Sequence, residues 1–338
     1  MRTETLHLVE DYMAELFSFV VDKEGFAEGL PYFDTANPKR ATIGYGFNIE
    51  ADTDNLLLVL EQMGIVNDKM TTFKITTIRN EFQTAINNTP HTGSTDTINA
   101  QLRANLNKVA SRYGVATFQI DKPQGYTVFR EIIEGTKVGN IPIQGKQERL
   151  DALLQDSLAH NSKEYIAVMS LFYNGESLVD SKQRLLANAI IKDNRAEAWF
   201  EIRYNSNNGS NRSALAQRRY RESDLFGLLD SGAFTDEGTK EVFRMYTKHR
   251  SEIDKYENNF PPPSSAYFSI SAPVLQAKEY LVNKFGQGKT IDNIIVGAGL
   301  ESYAYQEKWT IDKIFGTGGN ELIFGEKGED YFLMRRVA

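Results

Sequence analysis

The sequence predicts an α+β protein, mainly helical, with a small β lobe near its start and a small β-rich module at its end. Three observations carry this expectation. Apolar residues recur at helical spacing up to about Lys255. A glycine-rich run, TIGYG at Thr42–Gly46, interrupts them early, and the tail from Ala272 carries one helix, APVLQAKEYLVNKFG, and then a glycine-punctuated, β-branched region. Between the helical part and the tail stands NNFPPPSSAYFS, whose three consecutive prolines form a stiff, extended connector. The expected organisation is therefore a domain over 1–258, a proline-rich linker over 259–266 and a β-rich module over 267–338.

The elements follow in order. A helix is expected from about Leu6 to Asp22, with Leu8, Val9, Tyr12, Met13, Leu16, Phe17, Val20 and Val21 at helical spacing. Gly25, Gly29 and Pro31 end it. Ala41 to Phe47 reads as a short strand or hairpin arm, and Asp52 to Met63 as a second helix with Asp or Thr at its cap. About Phe73 to Val109 suggests helices broken by the polar loop NNTPHTGSTD. Val115 to Ile143, with Pro123, Gly125, Gly139 and Pro142, reads as loop and short strand. Helical spacing returns over Gln147–Leu158 and strongly over Ser162–Phe172.

Composition bounds the function. The chain has 338 residues, 41% hydrophobic and 25% charged, which is ordinary for a globular protein long enough to bury a core without staples. It has no cysteine, so disulfides and thiolate metal sites are excluded. A formal net charge of −7 argues against general nucleic-acid affinity. No apolar run is long enough to span a bilayer, and MRTETLHLVEDYMAELF lacks the basic start and apolar stretch of a secretory signal. Synthesis in the cytoplasm without a signal peptide is the expectation.

Chemistry concentrates in EGFAEGLPYFDTANPKRATIGYGFN, Glu24 to Asn48. Glu24 falls where the first helix runs out, beside Phe26. A carboxyl partly desolvated there has a raised pKa and suits a general acid. Asp34 follows in a polar loop with Thr35, Asn37 and Lys39, a setting that suits a carboxylate. Two carboxyls in unlike environments are what glycosidic cleavage requires, one to protonate the leaving oxygen and one to handle water or the developing cation. Thr42 adds a hydroxyl able to hold a water. The plain alternative is a helix end and a turn that happen to be acidic.

The order E-G-F, P-Y-x-D, T-I-G-Y-G resembles the catalytic signature of the phage-type lysozymes, glycoside hydrolase family 24. The resemblance implies a lysozyme-like two-lobed domain with Glu24 as the acid, Asp34 as the aspartate and Thr42 as the threonine. It adds Tyr32, Tyr45, Asn48 and Asn174 as substrate contacts. The pattern departs from the family's by one residue between Glu24 and Tyr32 and about two between Asp34 and Thr42. Phe47 replaces a polar residue. The insertion leaves Glu28, in a second E-G pair, as a competitor for the acid.

A second block, AVMSLFYNGESLVDSKQRLLANAIIKDNRAEAWFEIRYNSNNGSNRSALAQRRYRESDLF, is similar to the family's C-terminal lobe. The matching residues are Ala167, Ser170, Phe172, Asn174, Gly175, Trp199, Arg218, Arg219, Glu222, Leu225 and Phe226. Read as residues alone, Ser170, Phe172 and Trp199 are core, and Arg218, Arg219 and Glu222 are a surface ion pair of little energetic weight. The resemblance covers roughly 6–65 and 160–230, which makes about 70–160 an elaborated inter-lobe region of undetermined role.

The resemblance implies a muramidase cleaving the β-1,4 bond between N-acetylmuramic acid and N-acetylglucosamine of peptidoglycan, with inversion and no required cofactor. Lytic transglycosylase, chitosanase-like hydrolase and non-catalytic wall binder stay open as alternatives. The acidic balance differs from the family's frequently basic character, with Arg212, Arg218, Arg219 and Arg221 as local compensation. It suits an enzyme carried to its target, an antibacterial effector with a delivery apparatus or immunity partner or a virion-borne lysin, and a holin-released endolysin also fits.

In the tail, Ile314-Phe315-Gly316 repeats nine residues on as Ile323-Phe324-Gly325, and Gly319 as Gly328. This resembles the nonapeptide Ca²⁺-binding β-roll repeats of secreted toxins. Asn320, Glu321, Glu329 and Asp330 are the weak candidate ligands, and a metal-free β appendage is the competing reading. His7, His91, His160 and His249 show no metal-ligand spacing and read as solvated surface.

Overall fold

A computed structural model of the chain describes residues 11–24, 26, 29–34, 39–180, 185–207, 213–229, 235–262, short pieces between 269 and 280, and four strands between 303 and 334. The described chain is mostly helical with small sheets, an α+β protein. It divides into two compact units, Val9–Asp156 and Ser157–Ala338.

The first unit opens with α1 (Tyr12–Glu24), which buries Leu16 and Val20. A three-stranded antiparallel sheet follows, β1 (Tyr32–Phe33), β2 (Ala41–Ile43) and β3 (Phe47–Asn48), in that spatial order. Next comes α2 (Thr53–Gln62), capped by Asp52, whose carboxylate accepts from the backbone N–H groups of Asp54 and Asn55. Its run Leu56–Leu60 is buried on every side, so α2 is the central helix of the unit. Each such side chain removed from water contributes about 1.5–3 kcal/mol.

Residues of the expected inter-lobe region complete this same unit. They form α3 (Thr72–Asn87), α4 (Thr95–Ala110), α5 (Lys122–Glu134), a hairpin of β4 (Thr136–Val138) and β5 (Ile141–Ile143), and α6 (Lys146–Leu154). The polar loop separating α3 from α4 lies where the sequence put it, and Ser94 caps α4 by accepting from Thr97 N–H.

Helix α5 corrects the expectation of loop. Pro123 stands in its first turn, where an N–H has no helical partner to lose. Asp121 and Gln124 form a reciprocal capping box around it. Gly125 is not a breaker either. A Cβ there would lie 2.9 Å from Cε2 of Tyr45 and 3.0 Å from Cε2 of Phe26, so glycine lets α5 close onto the aromatic cluster.

The second unit contains α7 (Lys163–Asn174), α8 (Leu185–Ile191), α9 (Arg195–Phe200), α10 (Ser213–Phe226) and α11 (Asp236–Asn259). Ser170, Phe172 and Trp199 are buried, as the packing reading expected. A π-helical turn, Glu201–Asn205, continues α9 and carries the fully buried Arg203. Arg195 on α9 ties two places together, donating to Glu164 Oε1 at 2.6 Å and to the carbonyls of Phe226 and Gly227.

The tail strands pair in parallel, β6 (Tyr303–Glu307) with β8 (Leu322–Lys327) and β7 (Lys313–Gly316) with β9 (Tyr331–Met334). Ile314 faces Phe332 and Gly316 faces Met334, an offset of two nine-residue periods. The β6–β8 pair runs one residue longer, with a bulge between Tyr305 and Glu307.

The stretch just past the prolines is tied to α11. Ser269 Oγ donates to Glu257 Oε2 at 2.6 Å, the Ile270 N–H to Glu257 Oε1 at 3.2 Å, and the Tyr280 hydroxyl to Asp236 at 3.1 Å. Ile270, Val274 and Ala277 are buried. A chain cut at Pro262 should therefore melt at a lower temperature and bind more of a hydrophobic dye than one cut after Gly286, which keeps these contacts. Equal melting temperatures for the two truncations would show that the 269–280 segment contributes nothing to the helical unit.

Candidate functional site

The site begins where α1 ends, at Glu24. Glu28, its competitor, and residues 35–38 lie outside the described residues, as do Asn320, Glu321, Glu329 and Asp330 of the tail. Phe26 is placed, its ring 4.7 Å from that of Tyr45.

Asp34 and Thr42 meet at one residue, Arg40. The Asp34 N–H donates to the Arg40 carbonyl at 3.0 Å, and Asp34 Oδ1 accepts the Arg40 N–H at 3.0 Å. The Thr42 hydroxyl donates to that same carbonyl at 3.1 Å. Thr42 is buried, 4% exposed, and its hydroxyl keeps acceptor capacity after giving its proton to Arg40. In register, Tyr32 lies opposite Thr42 and Thr42 opposite Asn48, so the three share one face across the sheet.

Two other predicted contacts have structural work. Tyr45 is buried, 5% exposed, with its ring at 5.1 Å from Phe17 and 6.3 Å from Phe47. Asn48 Oδ1 accepts from the N–H groups of Glu50 and Ala51 and shapes the turn into α2. Asn174 is in the second unit, exposed at the end of α7, and its Oδ1 accepts from Arg219 Nη2 at 2.6 Å.

Sequence reasoning missed how this loop is held. Three side chains one helical turn apart on α4 serve it. Asn99 Oδ1 accepts the Phe33 N–H at 2.8 Å, Arg103 Nε donates to the Pro31 carbonyl at 3.0 Å, and Asn107 Oδ1 accepts the Phe118 N–H at 2.7 Å. Two residues past Phe118, the Ile120 N–H donates to the Gly29 carbonyl at 3.1 Å. The i, i+4, i+8 spacing was legible in the sequence; the backbone partners, more than sixty positions away for Asn99, were not.

The arginine triplet is a correction. Arg218, Arg219 and Glu222 are buried, with Glu222 at 0% exposure, and are no surface ion pair. Glu222 Oε1 accepts from Ser170 Oγ at 2.8 Å and Arg218 Nε at 3.1 Å, while Oε2 takes Arg219 Nη1. Nearby Arg203 lies with its guanidinium 4.8 Å from the Trp199 ring and 4.3 Å from the Tyr220 ring, and donates to Ser223 and Asp224. His249 is a second correction. Its side chain is 12% exposed, stacked on Phe200 at 3.7 Å and bonded to Glu197 at 2.8 Å, so it is not solvated surface. Beside it lies a groove of about 360 Å³ lined by Leu185, Lys192, Glu197, Glu241 and Met245, among others.

Compared with protein-family models, with curated proteins and with solved structures, the chain shows no match. Among the described residues, no helix is long and apolar enough to cross a membrane.

Two measurements check the buried cluster. Glu222→Gln leaves two buried guanidiniums without their carboxylate, which should destabilise the protein by about 3–5 kcal/mol in urea unfolding. Asp224 gives a pH signature. Burial, against the pull of Arg203, pushes its carboxyl from 3.8 up to about 6. The folded state then binds this proton more tightly than the unfolded chain. Its contribution to stability is therefore largest below pH 3.8 and is lost as pH rises through about 6. The melting temperature of the wild type minus that of Asp224→Asn should fall across this window; a flat difference would refute the assignment.

Proposed function

We propose that the chain is a muramidase acting on peptidoglycan, built on a lysozyme-like two-lobed scaffold with a β-rich module behind it. The observation that carries the reading is the meeting of Asp34 and Thr42 at the backbone of Arg40, beside a small sheet that follows a helix ending at Glu24. Local order of this kind is what the E-G-F, P-Y-x-D, T-I-G-Y-G pattern implies.

In this mechanism Glu24 protonates the glycosidic oxygen as the bond to the N-acetylglucosamine oxygen breaks. Asp34 and Thr42 hold a water on the opposite face of the ring. The water oxygen bonds to the anomeric carbon as Asp34 takes one of its protons, and Thr42 accepts a hydrogen bond from the water's other proton while the Thr42 hydroxyl stays donated to the Arg40 carbonyl. The resulting product carries a reducing end with inverted configuration. No metal enters this chemistry. The tail serves delivery or attachment, supported by the parallel β7–β9 pair, whose partners are two nine-residue periods apart, the spacing of stacked nonapeptide repeats. A metal-free β appendage is the favoured form of that module, with calcium binding as the alternative.

Incubating the pure protein with peptidoglycan and weighing the muropeptides tests the reading. Reducing-end products support hydrolysis, anhydro products alone assign the chain to the transglycosylases, and cleavage of chitosan but not of wall assigns it to that hydrolase class. Intact wall after prolonged incubation leaves a binding protein. Glu24→Gln should lower turnover by about 10²–10⁴-fold with folding intact, since the amide keeps the shape and cannot give the proton. Loss in Glu28→Gln with near wild-type turnover in Glu24→Gln would move the acid to Glu28. Asp34→Asn should also slow turnover, with little change in melting temperature.

A further inference from the structure

Residues of the region that the resemblance leaves without a role converge on the loop that carries Asp34. We propose that α4 acts as a surrogate strand along the outer edge of β1, and that Asn99 and Arg103 are positioning residues for Asp34. The proposal rests on the reading that Asp34 serves the reaction.

The geometry follows from strand alternation. The Asp34 N–H points toward β2, where it meets the Arg40 carbonyl. The Phe33 N–H and the Pro31 carbonyl, one and three residues earlier, therefore point the other way, off the edge of the sheet. An edge strand leaves such groups to water or to another chain. Here Asn99 accepts the Phe33 N–H at 2.8 Å and Arg103 donates to the Pro31 carbonyl at 3.0 Å. One acceptor and one donor, four residues apart on α4, thus replace the alternating pattern of a neighbouring strand. A backbone N–H can meet only the amide oxygen, so the orientation of Asn99 is fixed by its partner.

The same edge is buttressed further. The His91 ring lies 4.7 Å from that of Phe33, and His91 approaches Glu50, whose other oxygen accepts the Ala41 N–H of β2 at 2.7 Å. Asn107, one turn beyond Arg103, holds the segment whose Ile120 N–H reaches Gly29. A Cβ on Gly29 would fall 1.7 Å from the Ile120 carbonyl oxygen, so this approach requires glycine. Between Gly29 and Asp34 the chain is therefore held at Gly29, Pro31, Phe33 and Asp34. With its register set at these points, the Asp34 carboxylate has little freedom to drift from the Arg40 N–H. Small displacements of a catalytic group matter: about 1 Å can cost roughly 10²-fold in rate.

The test uses the full chain and soluble peptidoglycan fragments. Asn99→Ala should lower kcat by about 10-fold with KM unchanged, and Asn99→Asp, which keeps the acceptor, should restore most of it. Arg103→Met, which keeps the stem but loses the donor, is the second variant should Asn99→Ala fold poorly. In an Asp34→Asn background Asn99→Ala should add no further loss, because the group it positions is already disabled. A purely structural role would give an additive loss, and that result, or wild-type kcat in both single variants, overturns the proposal. Amide hydrogen exchange over residues 29–40 supplies a readout independent of activity. Faster exchange in Asn99→Ala supports the pinning and unchanged exchange overturns it. A wild type that cleaves no wall sinks the muramidase reading alone.

Discussion

A two-residue edge strand has to have its backbone paired from outside the sheet, and the first unit is arranged around that requirement. β1 brings only Tyr32 and Phe33 to the ladder. So short a strand gains little from its own hydrogen bonds, and its fixed position comes from what stands on either flank. β2 supplies one flank through Ala41 and Thr42. Helix α4 supplies the other with side chains in place of a strand. The aromatic cluster of Phe17, Phe26, Tyr45 and Phe47 then closes beneath the turn, and Gly125 admits α5 to it. The 72–134 segment is thus part of what makes the small sheet stand, and not a spacer beyond it.

The second unit solves a different problem with buried charge. Glu222 has both oxygens occupied by guanidiniums and a hydroxyl, which is the condition under which a carboxylate tolerates removal from water. Arg219 spends its other end on Asn174, so the network runs from the core to an exposed amide at the end of α7. Arg203 is compensated by a mixture of ring faces, a hydroxyl and a carboxylate. The strain of that arrangement shows on Asp224, whose proton affinity rises despite an arginine 3.0 Å away.

Much of the local structure was legible in the sequence because its causes are local. The apolar spacing of α2 and α7, the Asp52 cap and the polar break between α3 and α4 all follow from residues a few positions apart. Helix α5 reads as loop in the sequence because Pro123 and Gly125 are breakers in most settings; the Asp121–Gln124 capping box is the signal that outweighs them. The burial of Arg218, Arg219 and Glu222 had no local signal at all. An R-R-x-x-E run on an exposed helix and the same run facing α7 have one spacing, and only Ser170, some fifty positions away, decides between them. The candidate site was legible in the same uneven way. Asp34 and Thr42 came together through a short hairpin, whereas Asn99 and Arg103 reached them across the fold.

Burial of the arginines also changes the electrostatic argument about an anionic substrate. Four arginines near the chain's second block offered local compensation for a net charge of −7. Arg218 and Arg219 share the single carboxylate of Glu222 inside the second unit, which leaves one net positive charge buried there, and Arg212 lies outside the described residues. One of the two positive charges is cancelled at close range by the Glu222 carboxylate, and the field of the remainder is screened by salt beyond a Debye length. Under the muramidase reading, long-range attraction of an anionic wall to a chain of net charge −7 is therefore weaker than four exposed arginines would supply. An enzyme with weak attraction depends more on being brought close by another part of the chain or by a carrier. That is the physical reason to connect the acidic helical units with a tail that takes no part in the proposed chemistry.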